Sequence, residues 1–232
     1  MGSRIIFLRH GQTAANIKRE LDSRPPGSPL TAHGQQQATA AGEALARHLQ
    51  VTEGQLGRLG KIVHSTATRA RQTANLAAES LANSVGLSVI PTPPEEIAGI
   101  HEFSAGIYED STTEEAYRAY IGAFQRIMRG DDSAGVPGGE TGAEFLDRYL
   151  PALETQFDTL EPDQDLVVVS HGAAIRMITE RATGTEPRHM VENYLDNCDI
   201  SIVEPEGRPF GQWNLRYWVS DELLTQPWIK QR

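Results

Sequence analysis

Ile5-Ile6-Phe7-Leu8-Arg9-His10-Gly11 and Val167-Val168-Val169-Ser170-His171-Gly172 share one design: an apolar, β-branched run leading into His-Gly. Short apolar runs of this kind predict buried strands. In an open parallel sheet, ligands bind beyond the carboxyl ends of the strands. If the two strands are neighbours, both imidazoles reach the same crevice. The glycine after each histidine lets the backbone turn tightly and approach a ligand closely. A third run, 61–64, feeds a helix over 67–82 whose first turns carry Arg69 and Arg71. A helix N-terminus favours an anion. The two arginines point to different faces, so one of them is expected in the crevice.

Working outward, helical spacing predicts helices over 31–49, with Thr31 as N-cap, and over 114–129, followed by Gly130. Residues 141–160 also read as helical, with Pro151 marking a kink or a break. A helix over 172–182 is stopped by Gly184. Further strands are expected at 87–90, ended by Pro91, Pro93 and Pro94, and at 200–203 and 215–219. Strands alternating with helices imply βαβ units. The expected architecture is α/β, a three-layer sandwich with a mostly parallel central sheet flanked by helices. Residues 91–139 interrupt the alternation and read as a mostly helical cap inserted over one end of the sheet. No linker separates a second unit, so 1–232 is expected to form a single domain.

Composition narrows the function. The 232 residues include 31 acidic and 21 basic ones, a formal net charge of −10. An acidic surface argues against nucleic acid, whose phosphate backbone needs a basic one, and against an anionic membrane. The single cysteine, Cys198, excludes an intramolecular disulfide and a cysteine-based zinc site. It reads as a small buried hydrophobe. The opening MGSRIIFLRH has no long apolar segment and no cleavage site, so a cytoplasmic location is the expectation.

Longer patterns add a resemblance. Leu8-Arg9-His10-Gly11-Gln12-Thr13 with Asn16 resembles the signature of the histidine phosphatase (phosphoglycerate mutase-like) superfamily. Leu30-Thr31-Ala32-His33-Gly34-Gln35-Gln36-Gln37-Ala38 is similar to its LT-x-x-G-x-x-QA helix start. Ser65-Thr66-Ala67-Thr68-Arg69-Ala70-Arg71-Gln72-Thr73-Ala74 matches S-x-x-x-R-A-x-Q-T-A, which selects Arg69 over Arg71. Glu102 to Gly106 fits the family's E-x-x-x-G. Pro137-Gly138-Gly139-Glu140-Thr141 resembles P-G-G-E-S, Ser170-His171-Gly172 its second histidine, and Asn197-Cys198-Asp199-Ile200 its N-x-S-I. Two positions depart from the pattern. Asp110 stands where a glycine is usual, and Thr68 where leucine precedes the arginine. The loop 19–29 matches nothing in it.

The resemblance implies a phosphoglycerate mutase-like fold and phosphoryl transfer through a phosphohistidine on His10, with no metal and no other cofactor. It places Arg9 and Arg69 on the phosphoryl oxygens, a protonated His171 and Asn16 beside them, and Glu102 as general acid and then base. Residue chemistry fits these roles, because phosphoryl transfer needs positioning and cationic stabilisation, and neutral imidazole is a good nucleophile near pH 7. The Nδ1–H of His10 is expected to bond a carbonyl and leave Nε2 to attack. His33, His48, His64, His101 and His189 have no metal-ligand spacing, and His64 reads as structural.

The leading expectation is a metal-independent phosphatase for a small phosphorylated metabolite. The alternative is a bisphosphoglycerate-dependent phosphoglycerate mutase, and behind it stands a non-catalytic phosphate-binding scaffold. Mutases of the family carry clustered arginines and a proline run in the insertion. Here Arg118, Arg126 and Arg129 are spread over helical turns, which favours the phosphatase. The expected partner is a small phosphate ester, and the segment 221–232, with Trp228, leaves a homodimer open.

Overall fold

A computed structural model describes residues 2–219. Six strands form one sheet in the order β3-β2-β4-β1-β5-β6. They are β1 (Ile5–Arg9), β2 (Leu59–His64), β3 (Glu95–Glu96), β4 (Asp165–Ser170), β5 (Ile200–Glu204) and β6 (Asn214–Trp218). The β3-β2-β4-β1 half is parallel throughout. β5 runs against both β1 and β6, so it alone opposes the common direction.

The central strands are buried on both faces, which is why they read as unbroken apolar runs. Ile5, Phe7, Leu166 and Val168 face one layer. Ile6, Leu8, Val167 and Val169 face the other. The helices α2 (Ala32–His48) and α3 (Thr68–Ser84) cover the second face with Ala41, Leu45, Ala70, Ala74 and Ala77. The first face is covered by α4 (Glu114–Met128), α5 (Gly142–Phe157) and α6 (Gly172–Thr183), through Phe124, Phe145, Tyr149, Ile175 and Ile178. This is the expected three-layer sandwich with a mostly parallel sheet.

Thr31, Thr113 and Thr141 cap their helices, each accepting a backbone N–H from the third helical residue. Gly184 ends α6 in the left-handed region at φ 61°. Two short helices have no periodicity to read: α1 (Ala14–Lys18) and α7 (Pro187–Glu192).

Two expectations are corrected. Residues 87–90 form no strand. Ile90 is buried in the α2–α3 layer, so the apolar signal there reflects packing without pairing. The sheet's edge position beside β2 is taken by Glu95–Glu96, just after the prolines, which lack the N–H a ladder needs. Helix α5 also runs unbroken through Pro151, which lies on its exposed side. Within residues 91–139 the regular structure is β3, a 3-10 turn at Gly106–Tyr108 and α4. The segment 221–232 lies outside the described residues.

The loop between β1 and α2 is pinned at its base. Thr13 and Leu30 form a bridge, and the Thr31 N–H donates to the Gln12 carbonyl at 2.9 Å. The Gln12 and Leu30 N–H groups donate to the side-chain carbonyls of Gln37 and Gln72, at 2.9 and 2.8 Å. A Cβ on Gly11 would sit 2.5 Å from the Gly34 carbonyl oxygen, so the two segments meet backbone to backbone.

Candidate active site

Strands β1 and β4 are parallel neighbours with Arg9 opposite Ser170. His10 and His171 therefore leave adjacent strand ends, with ring centroids 5.2 Å apart. On the far side of β4, β2 ends at His64, and the Ser65 N–H donates to the Val169 carbonyl. Helix α3 then starts at Thr68 and carries Arg69 back over both rings. Arg71 is on the exposed face. His64 donates from Nδ1 to the Ser65 carbonyl at 2.9 Å and is absent from the cleft lining.

Arg69 fixes both imidazoles. Its Nε donates to His10 Nε2 at 3.2 Å, and its Nη2 donates to His171 Nδ1 at 3.1 Å. A guanidinium only donates, so each contacted ring nitrogen is an acceptor. His10 then carries its proton on Nδ1, which donates to the Gly11 carbonyl at 2.8 Å. His171 carries its proton on Nε2, 2.7 Å from Ser65 Oγ. Burial, then Arg69 and Arg9, hold His10 neutral, well below the usual imidazole range. Burial, Arg69 and His10 do the same for His171. Arg69 and Ser65 thus occupy both ring nitrogens of His171, and burial with Arg69 disfavours the protonated form that the resemblance implies. His171 is fully buried behind the wall of the cleft rather than part of its lining.

The cations keep unused donors. Arg9 gives one Nη to the Leu195 carbonyl, and Arg69 gives Nη2 also to the Asp22 carbonyl. Arg9 Nε and Arg69 Nη1 are buried with no hydrogen-bond partner among the described residues. Unsatisfied buried donors are costly unless a ligand meets them. The Asp22 carboxylate stands 3.5 Å from Arg69 Nη1 and is itself held by the Ser28 N–H.

Glu102 caps α6. Its two oxygens accept from the N–H groups of Ala173 and Ala174, at 3.1 and 2.8 Å, and one also accepts from Phe103. The segment behind it is clamped by Arg148, which donates to the carbonyls of Gly99, His101 and Glu102 and to both oxygens of Glu140. Asn16 lines the cleft, with Oδ1 accepting from the Thr13 N–H and from Asn197 Nδ2. The cleft has a volume of about 430 Å³ and is lined by Arg9, His10, Asn16, Arg69 and Glu102. Arg118, Arg126 and Arg129 are exposed and absent from that lining; the first two pair with Glu114 and Asp131. From the insertion the cleft receives Tyr117, Tyr120 and Ile121 instead. Among the described residues no cluster of three His, Cys, Asp or Glu side chains could hold a metal ion.

The family model described as "Histidine phosphatase superfamily (branch 1)" matches residues 5–220. The chain belongs to this superfamily. A curated relative, "Probable phosphoglycerate mutase GpmB" of Klebsiella pneumoniae, is 29% identical over 215 residues, covering 93% of this chain and 89% of its own. The fold matches a structure of mycobacterial glucosyl-3-phosphoglycerate phosphatase with VO3, at TM-score 0.68 and 22% identity, covering 94% of this chain and 99% of the other. It also matches an alpha-ribazole phosphatase from Shigella flexneri, at TM-score 0.64 and 21% identity, covering 94% and 96%.

In this member of the superfamily the motif residues outside the cleft have identifiable work. Gln72 and Gln37 hold the loop base, Thr73 Oγ1 accepts the Gly11 N–H, and Glu140 orients Arg148. Three residues of the site escaped sequence reasoning. Ser65 had a usable signal, since it ends the same strand that feeds Arg69. Arg176 had one too: it lies one helical turn beyond Gly172, on the same face. Asp22 had none, because the loop 19–29 carries no readable pattern.

Proposed function

We propose that this protein is a metal-independent phosphatase that hydrolyses a small phosphate monoester through a phosphohistidine on His10. The observation that carries the reading is a pair of buried guanidinium donors without a hydrogen-bond acceptor among the described residues, Arg9 Nε and Arg69 Nη1 (the latter 3.5 Å from the Asp22 carboxylate), beside a neutral His10 whose Nε2 is its acceptor nitrogen. A phosphoryl group entering there meets cationic donors at its oxygens and a nucleophile at phosphorus. His10 Nε2 forms a bond to phosphorus as the ester P–O bond breaks. The departing alkoxide takes a proton from the Glu102 carboxyl. Water, deprotonated by the Glu102 carboxylate, then attacks phosphorus, and His10 leaves with its electron pair. General acid–base help of this kind typically contributes about 10²–10⁴-fold. Asn16 acts as a further phosphate donor, and His171 gains a proton on Nδ1 and donates it as the arriving anion draws the Arg69 guanidinium off that nitrogen.

A mutase is the second reading, favoured by the names of the curated relatives. Against it, none of the arginines of α4 or its C-terminus lines the cleft. Such a mutase would need cations there to hold its substrate's carboxylate in both orientations.

Brief mixing with p-nitrophenyl phosphate should yield an acid-labile phosphoenzyme, and mass mapping should place the phosphate on His10. Phosphate on any other residue would overturn the nucleophile assignment. His10→Ala should lower turnover on the order of 10⁴-fold or more while melting like the parent. Incubation with 3-phosphoglycerate and catalytic 2,3-bisphosphoglycerate should release inorganic phosphate. Isomerisation without release would replace the phosphatase with the mutase.

A further inference from the structure

The loop 19–29, which matches nothing in the family pattern, brings an acid to the anion pocket. Asp22 lines the cleft. Its carboxylate stands 3.5 Å from Arg69 Nη1, and its backbone carbonyl accepts from Arg69 Nη2 at 2.8 Å. Among the carboxylates that act on Arg69, Asp22 acts most strongly, ahead of Glu102 and Glu109. Together they counter the loss of charge that burial favours.

The Asp22–Arg69 contact supplies charge without a hydrogen bond. A separation of 3.5 Å is too long for a good N–H···O bond. Arg69 Nη1 is one of the buried donors with no acceptor among the described residues. Asp22 therefore offsets part of the guanidinium's charge and leaves its donor open. A phosphoryl oxygen that takes this donor comes to rest beside a negative charge.

That charge is held in place. Asp22 Oδ2 accepts from the Ser28 N–H at 2.8 Å. The Glu109 carboxylate accepts from the N–H groups of Ser23 and Arg24, at 2.7 and 2.8 Å, and from the Ser23 hydroxyl. On the other side of the loop, the Pro26 carbonyl accepts the Thr68 N–H at 2.8 Å, at the start of α3. Gly27 lets the loop close over the pair. Its φ is 63°, and a Cβ there would stand 2.3 Å from Arg69 Nη1 and 2.8 Å from Asp22 Oδ1. A loop tied on both sides of Asp22 keeps the carboxylate at Arg69 as an anion arrives. Like charges at contact distance repel strongly in a partly buried site, and a dianion meets this repulsion with both of its charges.

We propose that Asp22 is a resident counter-anion that competes with the phosphoryl group for Arg69 and keeps orthophosphate, the product, weakly held. This rests on the phosphatase reading above and adds a control on product release at the same site. A bound ester keeps contacts between its alcohol part and the rest of the cleft, where Tyr117 and Ile121 stand. Orthophosphate has the anion pocket alone. The repulsion therefore falls hardest on the product, and the site empties for the next turnover.

Inorganic phosphate is the probe, titrated by calorimetry and as a competitive inhibitor of p-nitrophenyl phosphate hydrolysis. Asp22→Asn keeps the side chain's shape and an acceptor for the Ser28 N–H but removes the charge. It should bind phosphate roughly 10- to 100-fold more tightly than the parent, with KM for p-nitrophenyl phosphate falling in the same direction. Asp22→Glu keeps the charge and should keep the weak binding. Unchanged or weaker phosphate binding by Asp22→Asn, at parental melting temperature, would make Asp22 a loop-holding residue and overturn the proposal. Tighter binding by both variants would overturn it as well, since charge would not be the cause. If Asp22→Asn melts below the parent, Asp22→Ser decides by the same criterion. Failure of the wild type to hydrolyse p-nitrophenyl phosphate would instead remove the phosphatase reading, while the calorimetric comparison, which needs no turnover, would still judge Asp22.

Discussion

Arg69 sets the state of the whole pocket, because one guanidinium donates to His10 Nε2 and His171 Nδ1 at once. Both rings are held neutral by burial and nearby cations. For such a depressed histidine the native state resists protonation, so stability is present above the unfolded value of about 6.5 and is lost as pH falls below it. Ring ¹⁵N NMR should find His10 and His171 uncharged at pH 6, with the proton of His10 on Nδ1. Adding vanadate should move His171 toward its charged form. An imidazolium at position 10 in the free protein at pH 6 would contradict the tautomer argument. At this scale the sequence was uneven. His10 and His171 were legible because their design occurs twice. Arg69 needed the longer family pattern to be chosen over Arg71. Asp22 stayed hidden because the loop that carries it has no pattern, and only packing brings it to Arg69.

At the scale of elements, Glu102 depends on two pieces of chain distant in sequence. Its carboxylate bonds the first free N–H groups of α6, and its backbone is held by Arg148 on α5, itself oriented by Glu140. Glu140 belongs to the Pro-Gly-Gly-Glu turn, so that motif acts on the site through a salt bridge and not through substrate. Arg148→Met should therefore behave like a weaker Glu102→Gln. The rate with a poor alkyl leaving group should fall more than the rate with p-nitrophenol, which departs without a proton. Equal slowing of both substrates would mean that Arg148 supports the fold alone. Element boundaries were legible wherever caps and periodicity agreed, as at Thr31, Thr141 and Gly184. They failed at 87–90, where apolar residues pack without joining the sheet, and at Pro151, whose exposed ring leaves α5 unbroken. Helices as short as α1 and α7 give no periodic signal at all.

At the scale of the molecule, function and stability sit at opposite ends of the sheet. Beneath the strand starts, the fully buried Asp165 accepts from Arg4 and Arg58, through the guanidinium of each. Asp165→Asn would leave two partly buried cations poorly matched. It should destabilise the fold by about 3–5 kcal/mol in urea melts. The specific activity of the folded fraction on p-nitrophenyl phosphate should stay near that of the parent. A large drop in activity at full stability would mean that the two ends of the sheet are coupled. The net charge of −10 is a property of this same scale. It bears on solubility and on general steering, while the buried guanidiniums of Arg9 and Arg69 supply positive charge locally at the cleft. The α/β layering was readable throughout, because strands buried on both faces are the least ambiguous pattern a chain offers.

The pinned base of the loop between β1 and α2 makes that loop a replaceable cassette. Its ends are fixed by backbone contacts through Gly11, Gln12, Thr31 and Gly34 and by the amides of Gln37 and Gln72. None of these lies within residues 17–29. A graft of that stretch from another member of the superfamily would leave β1 and the start of α2 anchored as they are, and would have to replace the Pro26 carbonyl that accepts the Thr68 N–H at the start of α3. What would change is the ceiling over Arg69, where Asp22 now stands. Protein engineers could therefore vary selectivity there if the contacts of Asp22 to Arg69 and of the Pro26 carbonyl to the Thr68 N–H are kept, whereas a single exchange at Gly11 or Gly34 would have to be matched at its partner.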